Sequence, residues 1–221
     1  MCHAAFQAEE YDRKIRATLP YYEEFYRQIT DILSVLEKKE ISWLDIGCGT
    51  GEMYKAAQPD IDIREFVFTD ISQNMLDISK SRFQRAGNRF EKTAIQEVEE
   101  CEKYDVITAV LVNHFLSEKD RTLALKNCYR ALKKDGIFFS FENIAPNSDV
   151  GRQIVLQRWK NYQMANGKSQ AEVREHIKRY GTEYFPITVE SHFEMMRKSG
   201  FQSVELIWMS YMQAGFMGIK K

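Results

Sequence analysis

The sequence predicts an α/β fold in which a doubly wound, mostly parallel sheet carries helices on both faces. Five short apolar runs alternate with helical patterns before residue 145, an order typical of parallel sheets. The first run ends in an acid followed by three glycines at alternate positions, where such sheets bind ligands. Two further runs close the chain and are near enough for a hairpin, which makes the final strand antiparallel.

The size and composition of the chain fit one domain with a substantial core. Its 221 residues are 44% hydrophobic and include only 4 prolines and 11 glycines, so disorder is disfavoured. The net charge of −1 gives no general attraction to nucleic acid or to an anionic membrane. The expected partner is therefore a small-molecule substrate, and the chain is either a monomer or a homodimer.

The cysteines and the apolar segments favour a cytoplasmic protein without a bound metal. Cys2, Cys48, Cys101 and Cys128 are scattered and form no C-x-x-C pair, so neither a metal site nor a disulfide framework follows. The first ten residues contain two acids and lack the apolar segment of a signal peptide. No run of about 18 apolar residues is present, so no membrane span is expected.

Two helices are predicted before the sheet, over residues 8–37 with a break at Pro20. Proline is tolerated in the first turn of a helix, so the two helices meet near Leu19 and Pro20. The second helix repeats apolar residues at three- and four-residue spacing. The first strand then covers Ile41–Ile46, and a short helix covers Glu52–Ala57.

The second and third strands flank a helix that has a serine at its start. The run Phe66–Thr69 ends at Asp70, and Ser72 can cap the helix Gln73–Gln84. A weaker third strand is predicted over Phe90–Ile95.

The fourth and fifth strands flank the next helix. Asp105–Val112 is a clear buried strand, and the helix Asp120–Leu132 follows it. Gly136 is a suitable stop for that helix. The fifth strand is predicted over Ile137–Phe141.

The alternation ends after Glu142. Residues 146–187 read as two or three polar helices with a break at Asn166 and Gly167, and a further helix pattern covers Val189–Lys198. The runs Phe201–Trp208 and Tyr211–Ile219 form the hairpin. The single predicted domain therefore comprises an N-terminal helical cap (1–38), a ligand-binding core (39–144), a helical lid (145–187) and a final helix with a β-hairpin (188–221).

The glycine turn separates one class of cofactor from another. The dinucleotide fingerprint is G-x-G-x-x-G, whose third glycine lets helix and strand pack closely. Here the glycines are Gly47, Gly49 and Gly51, and Glu52 occupies the place of that third glycine. An acid there would repel a pyrophosphate. With Asp45 the string reads D-x-G-x-G-x-G, which resembles motif I of the S-adenosylmethionine-dependent methyltransferases with a Rossmann-like fold.

This resemblance implies a seven-stranded sheet whose last strand is antiparallel, with S-adenosyl-L-methionine as the cofactor. The glycines would let the backbone pass beneath the methionine part of the ligand. Asp45 would orient the loop or reach the ligand's amino group, directly or through water. Since the ligand has a cationic amine and a sulfonium and carries no phosphate, nearby acids suit it.

Asp70 supports this interpretation because it ends the second strand 19 residues after Gly51. An acid at this place accepts hydrogen bonds from both ribose hydroxyls, although a helix-capping aspartate is the alternative. Ile71 and Met75 would flank the adenine, but Met75 at helical spacing also suits the core. Gln96 is the nearest polar candidate for the adenine amino group, with a solvated amide as the alternative.

The predicted cofactor-binding residues are drawn from the N-terminal cap and from the ends of the strands. They are Tyr22, Asp45, Gly47, Cys48, Gly49, Gly51, Asp70, Ile71, Met75, Gln96 and Leu111.

The junction after the fourth strand, Leu111 to Leu116, would face the reacting methyl group. Methyl transfer is an in-line displacement, and holding the reactants in line supplies much of the catalysis. His114 is the histidine expected beside the methyl position, and its usual pKa of about 6.5 suits proton removal. A structural histidine is the alternative. The N/D-P-P-Y/F/W motif of enzymes that methylate base amines is absent here, which disfavours that reaction.

The lid is where an acceptor would be recognised. Between Gly151 and Tyr180 seven cations face only Glu172 and Glu175, a local net charge of +5. This charge favours an anionic substrate, while a solvated helical face is the alternative. The cations are Arg152, Arg158, Lys160, Lys168, Arg174, Lys178 and Arg179. Four aromatic residues could form a wall beside the acceptor, with packing in the core as the alternative: Tyr11, Tyr21, Tyr22 and Trp159.

Most of the chain also resembles the carboxy-S-adenosylmethionine synthase group. The similarity lies in Leu19-Pro20-Tyr21-Tyr22, Ala165-Asn166-Gly167, Val189-Glu190-Ser191-His192 and Gly200-Phe201. It implies that Tyr22 approaches the cofactor.

That group needs a lid arginine, which aligns with Ile177, although Lys178 and Arg179 are adjacent. An isoleucine cannot pair with a carboxylate. We therefore favour an enzyme that transfers a methyl group to a small anionic or aromatic metabolite. The alternatives are carboxy-S-adenosylmethionine synthesis and a non-catalytic module that senses the cofactor.

Overall fold

The computed structural model describes residues 8–36 and 38–221, so Cys2, the rest of residues 1–7 and Glu37 of the predicted cap lie outside it. Its centre is a seven-stranded sheet of order β3-β2-β1-β4-β5-β7-β6. The strands are β1 (Ile41–Ile46), β2 (Ile63–Thr69), β3 (Asn88–Glu91), β4 (Tyr104–Val110), β5 (Leu132–Asn143), β6 (Ser203–Ser210) and β7 (Gln213–Ile219).

The first five strands are parallel, whereas β7 runs antiparallel to both β5 and β6. The predicted fold class is confirmed. The helices are α1 (Ala8–Thr18), α2 (Tyr22–Val35), α3 (Glu52–Ala57), α4 (Gln73–Phe83), α5 (Glu118–Ala131), α6 (Asp149–Ala165), α7 (Gln170–Lys178) and α8 (Val189–Lys198). Across the described ranges, no helix is both long and apolar enough to cross a bilayer.

Two predicted element boundaries are wrong. The third strand ends at Glu91, because Ile95–Glu97 forms a 3-10 turn instead. Gly136 does not stop a helix, since β5 already begins at Leu132 and bulges before it pairs regularly with β4 from Ile137. In that bulge the left-handed residue is Asp135, with φ 58°.

The starts of two helices also differ from the predictions. Ser72 occupies the N-cap position of α4, but its side chain makes no capping hydrogen bond. Pro20 lies between α1 and α2 and not in the first turn of α2, whose N-cap is Tyr21 in a left-handed conformation. The turn between the two helices therefore contains both Pro20 and the left-handed Tyr21.

The sheet is covered on both faces, as its continuous apolar strands require. One face packs Trp43, Phe66 and Phe141 against the N-terminal helices and α3. The other packs Phe138 and Phe216 against α5 and α8. All six residues of β1 are buried. The carboxyl ends of β1, β2 and β4 consequently meet at one edge of a rigid core.

The lid contacts the N-terminal cap through hydrogen bonds to the backbone at the end of α1. Trp159 Nε1 donates to the carbonyl of Thr18 at 2.6 Å, and Tyr162 Oη donates to that of Arg16 at 3.1 Å. Both donors belong to α6. The lid and the cap are thereby connected above the carboxyl edge of the sheet.

Candidate active site

The turn after β1 requires its three glycines, but for different reasons. All three have left-handed φ angles, of +64°, +53° and +89° in chain order. A Cβ on Gly47 would lie 2.4 Å from Val112 Cγ2, and one on Gly51 would lie 2.6 Å from the Phe83 ring. A Cβ on Gly49 would meet no atom within 4 Å. Gly49 therefore presents bare backbone to open space, where a ligand can approach it.

Asp45 lies beneath this turn and is only 2% exposed. Its Oδ1 accepts a hydrogen bond from Thr108 Oγ1 at 2.7 Å, and Thr108 in turn accepts one from Trp43 Nε1 at 2.9 Å. Burial raises the pKa of Asp45 to about 7, with the charge of Asp70 adding and the Thr108 hydrogen bond opposing. A cationic amine placed beside this carboxylate would stabilise its charged form.

Asp70 connects the ends of β1 and β2. Its Oδ2 accepts from the backbone N–H of Gly49 at 3.0 Å, and its Oδ1 accepts from that of Ser72 at 2.8 Å. Burial raises the pKa of Asp70 despite these hydrogen bonds. Asp70 therefore binds backbone both at the start of α4 and in the glycine turn. Each carboxylate oxygen has a further lone pair, so ribose hydroxyls can still donate to it.

A cleft opens above the glycine turn beneath the two N-terminal helices. Of the predicted cofactor residues, Tyr22, Asp45, Gly47, Cys48 and Gly49 line it. The thiol of Cys48 is buried, and burial raises its pKa well above the ordinary value. The remaining lining residues are Tyr11, Tyr26, Thr50, Glu52, Met53 and Val110.

The other predicted cofactor residues stand at varying distance from this cleft. Ile71 is 45% exposed beside Asp70, whereas Met75 is buried in the core. Leu111 adopts φ 61° as the chain leaves β4. Gln96 lies on the 3-10 turn after β3, and its Oε1 is buried without a partner among the described residues. That oxygen is the acceptor that the prediction for the adenine amino group requires.

The aromatic wall is only half formed by the predicted residues. Tyr11 and Tyr22 line the cleft. Tyr21 is 58% exposed, and Trp159 is fully buried. For these last two the expectation of an aromatic wall is wrong, because Tyr21 turns outward and Trp159 packs in the core. Tyr26, which sequence analysis missed, completes the wall through a short hydrogen bond with Tyr22.

The first helix is held over the glycine turn by polar contacts. Asp12 accepts from Thr50 Oγ1 at 2.5 Å and pairs with Arg82 at 2.8 Å. Arg16 pairs with Glu52 at 3.1 Å. These contacts join α1 to the turn, to α3 and to α4, and we call them the α1 contacts.

His114 is 3% exposed and belongs to a 3-10 turn after β4. Its Nδ1 lies 2.7 Å from Glu142 Oε2, and its Nε2 lies 3.3 Å from Asn143 Nδ2. A carboxylate only accepts, so Nδ1 carries the proton and Nε2 is the basic nitrogen. His114 is not among the residues that line the cleft. Its catalytic role stays a prediction.

Glu142 holds this region together and was missed by sequence analysis. It has no exposed surface. It also accepts from the backbone N–H of Asn113 and of His114 and from Ser140 Oγ, at 2.7–3.1 Å. Burial alone would raise the pKa of Glu142, but the hydrogen bond from His114 lowers it. The available signal was an acid directly after the apolar run Ile137–Phe141.

The cations beside the predicted arginine position of the lid point in different directions. Ile177 packs against the core. The Lys178 side chain is 70% exposed and pairs with Glu175, whereas that of Arg179 is 16% exposed and pairs with Glu183. Of these two cations, Arg179 is therefore the more buried. No group of three metal-ligating side chains occurs within the ranges that the structure describes.

Residues 44–138 match the family model of a methyltransferase domain. The chain carries a methyltransferase domain. Over 214 residues it is 23% identical to the carboxy-S-adenosyl-L-methionine synthase of Staphylococcus epidermidis, which covers 96% of this chain and 92% of that protein.

Two solved structures show the same fold. The YcgJ protein of Bacillus subtilis matches with a TM-score of 0.66 at 16% identity, over 89% of this chain and 99% of that one. An S-adenosylmethionine-dependent methyltransferase of Thermotoga maritima matches with a TM-score of 0.59 at 18% identity, over 96% and 95%. The predicted family, enzyme class and cofactor are confirmed: this is an S-adenosylmethionine-dependent enzyme of the methyltransferase class.

Proposed function

We propose that the enzyme transfers the methyl group of S-adenosyl-L-methionine to a small metabolite that is anionic or aromatic. The main support is the open backbone of Gly49 between the buried carboxylate of Asp45 and the partly buried carboxylate of Asp70. This arrangement suits a ligand with a cationic amine on one side and ribose hydroxyls on the other. The excess of cations in the lid supports an anionic acceptor.

The bound cofactor would supply an electrophilic methyl group, and the chain would supply position and a dry environment. Asp45 would hold the amine and Asp70 the ribose. Tyr11, Tyr22 and Tyr26 would exclude water above the glycine turn. When the acceptor is a hydroxyl, thiol or acidic carbon, His114 would hold its proton at Nε2 while Glu142 keeps Nδ1 protonated.

Calorimetric titration with S-adenosylmethionine and with its demethylated product tests the cofactor site. Asp70→Ala is expected to weaken binding by about 1–3 kcal/mol, because charge-assisted hydrogen bonds are lost. The matched control is Asp77→Ala on α4, an exposed aspartate that accepts a hydrogen bond from Gln73. Equal affinity of the Asp70 and Asp77 variants would remove Asp70 from the site.

Carboxy-S-adenosylmethionine synthesis is the second candidate, supported by the relative from Staphylococcus epidermidis and by the low exposure of the lid cation Arg179. Mass spectrometry of the ligand that co-purifies with the protein separates the two reactions. The carboxylated cofactor would favour synthesis. Tight cofactor binding without transfer to any of a broad panel of acceptors would instead favour a sensing module. A monomer or homodimer in the cytoplasm stays the expectation for either enzyme.

A further inference from the structure

Arg121 is a buried arginine on α5, and its hydrogen bonds within the described ranges all go to backbone carbonyls. The residue is 2% exposed. Its Nε donates to the carbonyl of Asn113 at 2.9 Å, and its Nη2 donates to those of Leu116 at 3.3 Å and Phe185 at 2.7 Å. A buried charge is costly unless it is paired or hydrogen-bonded. These three carbonyls are therefore what satisfies the guanidinium inside the protein.

The guanidinium is a cation with a fixed shape. Burial lowers the pKa of Arg121, while the charges of Glu142 and Glu118 raise it. An arginine side chain keeps its proton in proteins, because its ordinary pKa lies above about 12. It offers five N–H donors in a rigid planar fork. Such a fork can bond at the same time to segments that approach it from different directions.

The carbonyls bound by Arg121 belong to two segments that are far apart in the chain. Asn113 and Leu116 delimit the 3-10 turn that carries His114, which we call the histidine turn (residues 113–116). Phe185 lies near the end of the lid. Its backbone N–H donates to the carbonyl of His114 at 2.6 Å. The N–H and the C=O of Phe185 are thus bound to the histidine turn and to Arg121, respectively.

The histidine turn is held from two sides by side chains of opposite charge. Glu142 accepts from the N–H groups of Asn113 and His114, whereas Arg121 donates to carbonyls of the same turn. The ring of Tyr184 in the lid lies edge-on to that of His114, with 6.0 Å between centroids. The end of the lid and the histidine turn therefore form one bonded unit, and the side chain of Arg121 bonds to both.

We propose that Arg121 is a positioning residue that fixes the end of the lid against the histidine turn. It is not among the residues that line the cleft, so it acts through the backbone of these two segments. An acceptor enclosed by the lid would then face His114 in one fixed arrangement. That consequence rests on the proposed function, whereas the connection between the lid and the turn does not.

Hydrogen exchange of backbone amides in the free protein, followed by NMR spectroscopy, tests this role. Arg121→Met removes both the charge and the fork, so the amide of Phe185 is expected to exchange at least tenfold faster than in the wild type. The amide of Gly49, which donates to Asp70 in the glycine turn, is the internal reference and is expected to change less than twofold. A side chain that merely supported the whole fold would change both amides equally.

A spectroscopic signature at His114 tests the other half of the connection. Its Nδ1 proton is protected by the hydrogen bond to Glu142. In Arg121→Met the histidine turn loses the carbonyl bonds on its other side, so we expect the signal of this proton to be lost through faster exchange with water. A signal that persists unchanged would show that Arg121 does not hold the turn.

Arg130→Met is the matched control variant. Arg130 lies on the same helix and also donates to backbone carbonyls, those of Val98 at 2.8 Å and Glu100 at 3.5 Å, which lie outside the lid and the histidine turn. Its loss should leave exchange at Phe185 unchanged. Arg121→Lys keeps the charge without the planar fork and is expected to speed exchange at Phe185 at least threefold.

The lysine variant keeps the proposal testable if Arg121→Met does not fold. Unchanged exchange at Phe185 in Arg121→Lys would overturn the role of the fork. An equal increase at Phe185 and Gly49 would reduce Arg121 to general support of the fold and would also overturn the proposal. Because these measurements involve neither cofactor nor acceptor, failure of the proposed methyl transfer would leave them unaffected.

Discussion

The ends of β1 and β2 and the ends of β4 and β5 lie at one edge of the same sheet, yet they are built differently. At the ends of β1 and β2 the exposed surface is formed mainly by backbone, with three left-handed glycines and two N–H groups bound by Asp70. At β4 and β5 buried side chains dominate, with Glu142 at their centre. The first arrangement suits close approach by a ligand, and the second suits a fixed wall beside it.

The difference teaches which kind of site can be read from sequence. A left-handed turn needs glycine at particular positions, so the residues of the turn after β1 form one contiguous motif that sequence analysis can detect. The opposite end joins residues from three distant segments, for His114 contacts Asn143, which in turn bonds to Gln213. Local sequence cannot indicate such a set.

The largest effect is expected at Glu142, which anchors the side-chain end. Glu142→Leu should lower the free energy of unfolding by about 3–5 kcal/mol, because buried donors lose their charged acceptor. Glu142→Gln, which keeps one acceptor oxygen, is expected to cost less. Urea unfolding followed by tryptophan fluorescence measures both. A Leu variant as stable as the wild type would show that side chains do not hold this end.

A smaller effect on stability is expected in the glycine turn after β1. This effect should differ between Gly47 and Gly49. Gly47→Ala should cost about 1–3 kcal/mol from the clash with Val112, in addition to about 1–2 kcal/mol of left-handed strain. Gly49→Ala should show the strain alone, yet lose affinity for S-adenosylmethionine because its methyl group enters open space. Thermal unfolding and calorimetry test this pair. Equal stability loss in both variants would contradict it.

The pH dependence of Asp45 comes next. Its folded pKa of about 7 exceeds the ordinary 3.8, so the folded protein holds the proton more tightly than the unfolded chain does. The stability from this group is complete below the unfolded-chain pKa and is lost as the pH rises to about 7. Affinity for the cationic cofactor should rise over the same range. Asp45→Asn should flatten both profiles, measured by urea unfolding and by calorimetry.

The smallest effect is expected in the lid. Lys178→Ala should change the free energy of unfolding by less than about 0.5 kcal/mol, because its pair with Glu175 is exposed. Arg179→Ala should leave cofactor affinity unchanged but raise the KM for an anionic acceptor. Steady-state kinetics on both variants measure the contrast. Matching KM values would place Arg179 outside the acceptor site.

Sequence analysis predicted the alternation of strands and helices, the hairpin and the glycine turn because each depends on local pattern or on glycine geometry. It misplaced the start of β5, since the bulge at Asp135 follows from pairing with β4 and β7 and not from local propensity. Ser72 makes no capping hydrogen bond, and the side chain that binds backbone at the start of α4 is that of Asp70, which accepts from the Ser72 N–H. Glu142 and Thr108 were missed because a polar residue in a strand gives no indication of its partner on another strand.

The α1 contacts have a consequence for cofactor exchange. Among the described side chains of α1, Ile15 is the buried apolar one, whereas Asp12 and Arg16 hold the helix to its neighbours by charge. Ion pairs exchange their partners for water and salt at little cost. We therefore expect α1 to move away from the glycine turn more readily than the aromatic core of the sheet opens when the cofactor exchanges.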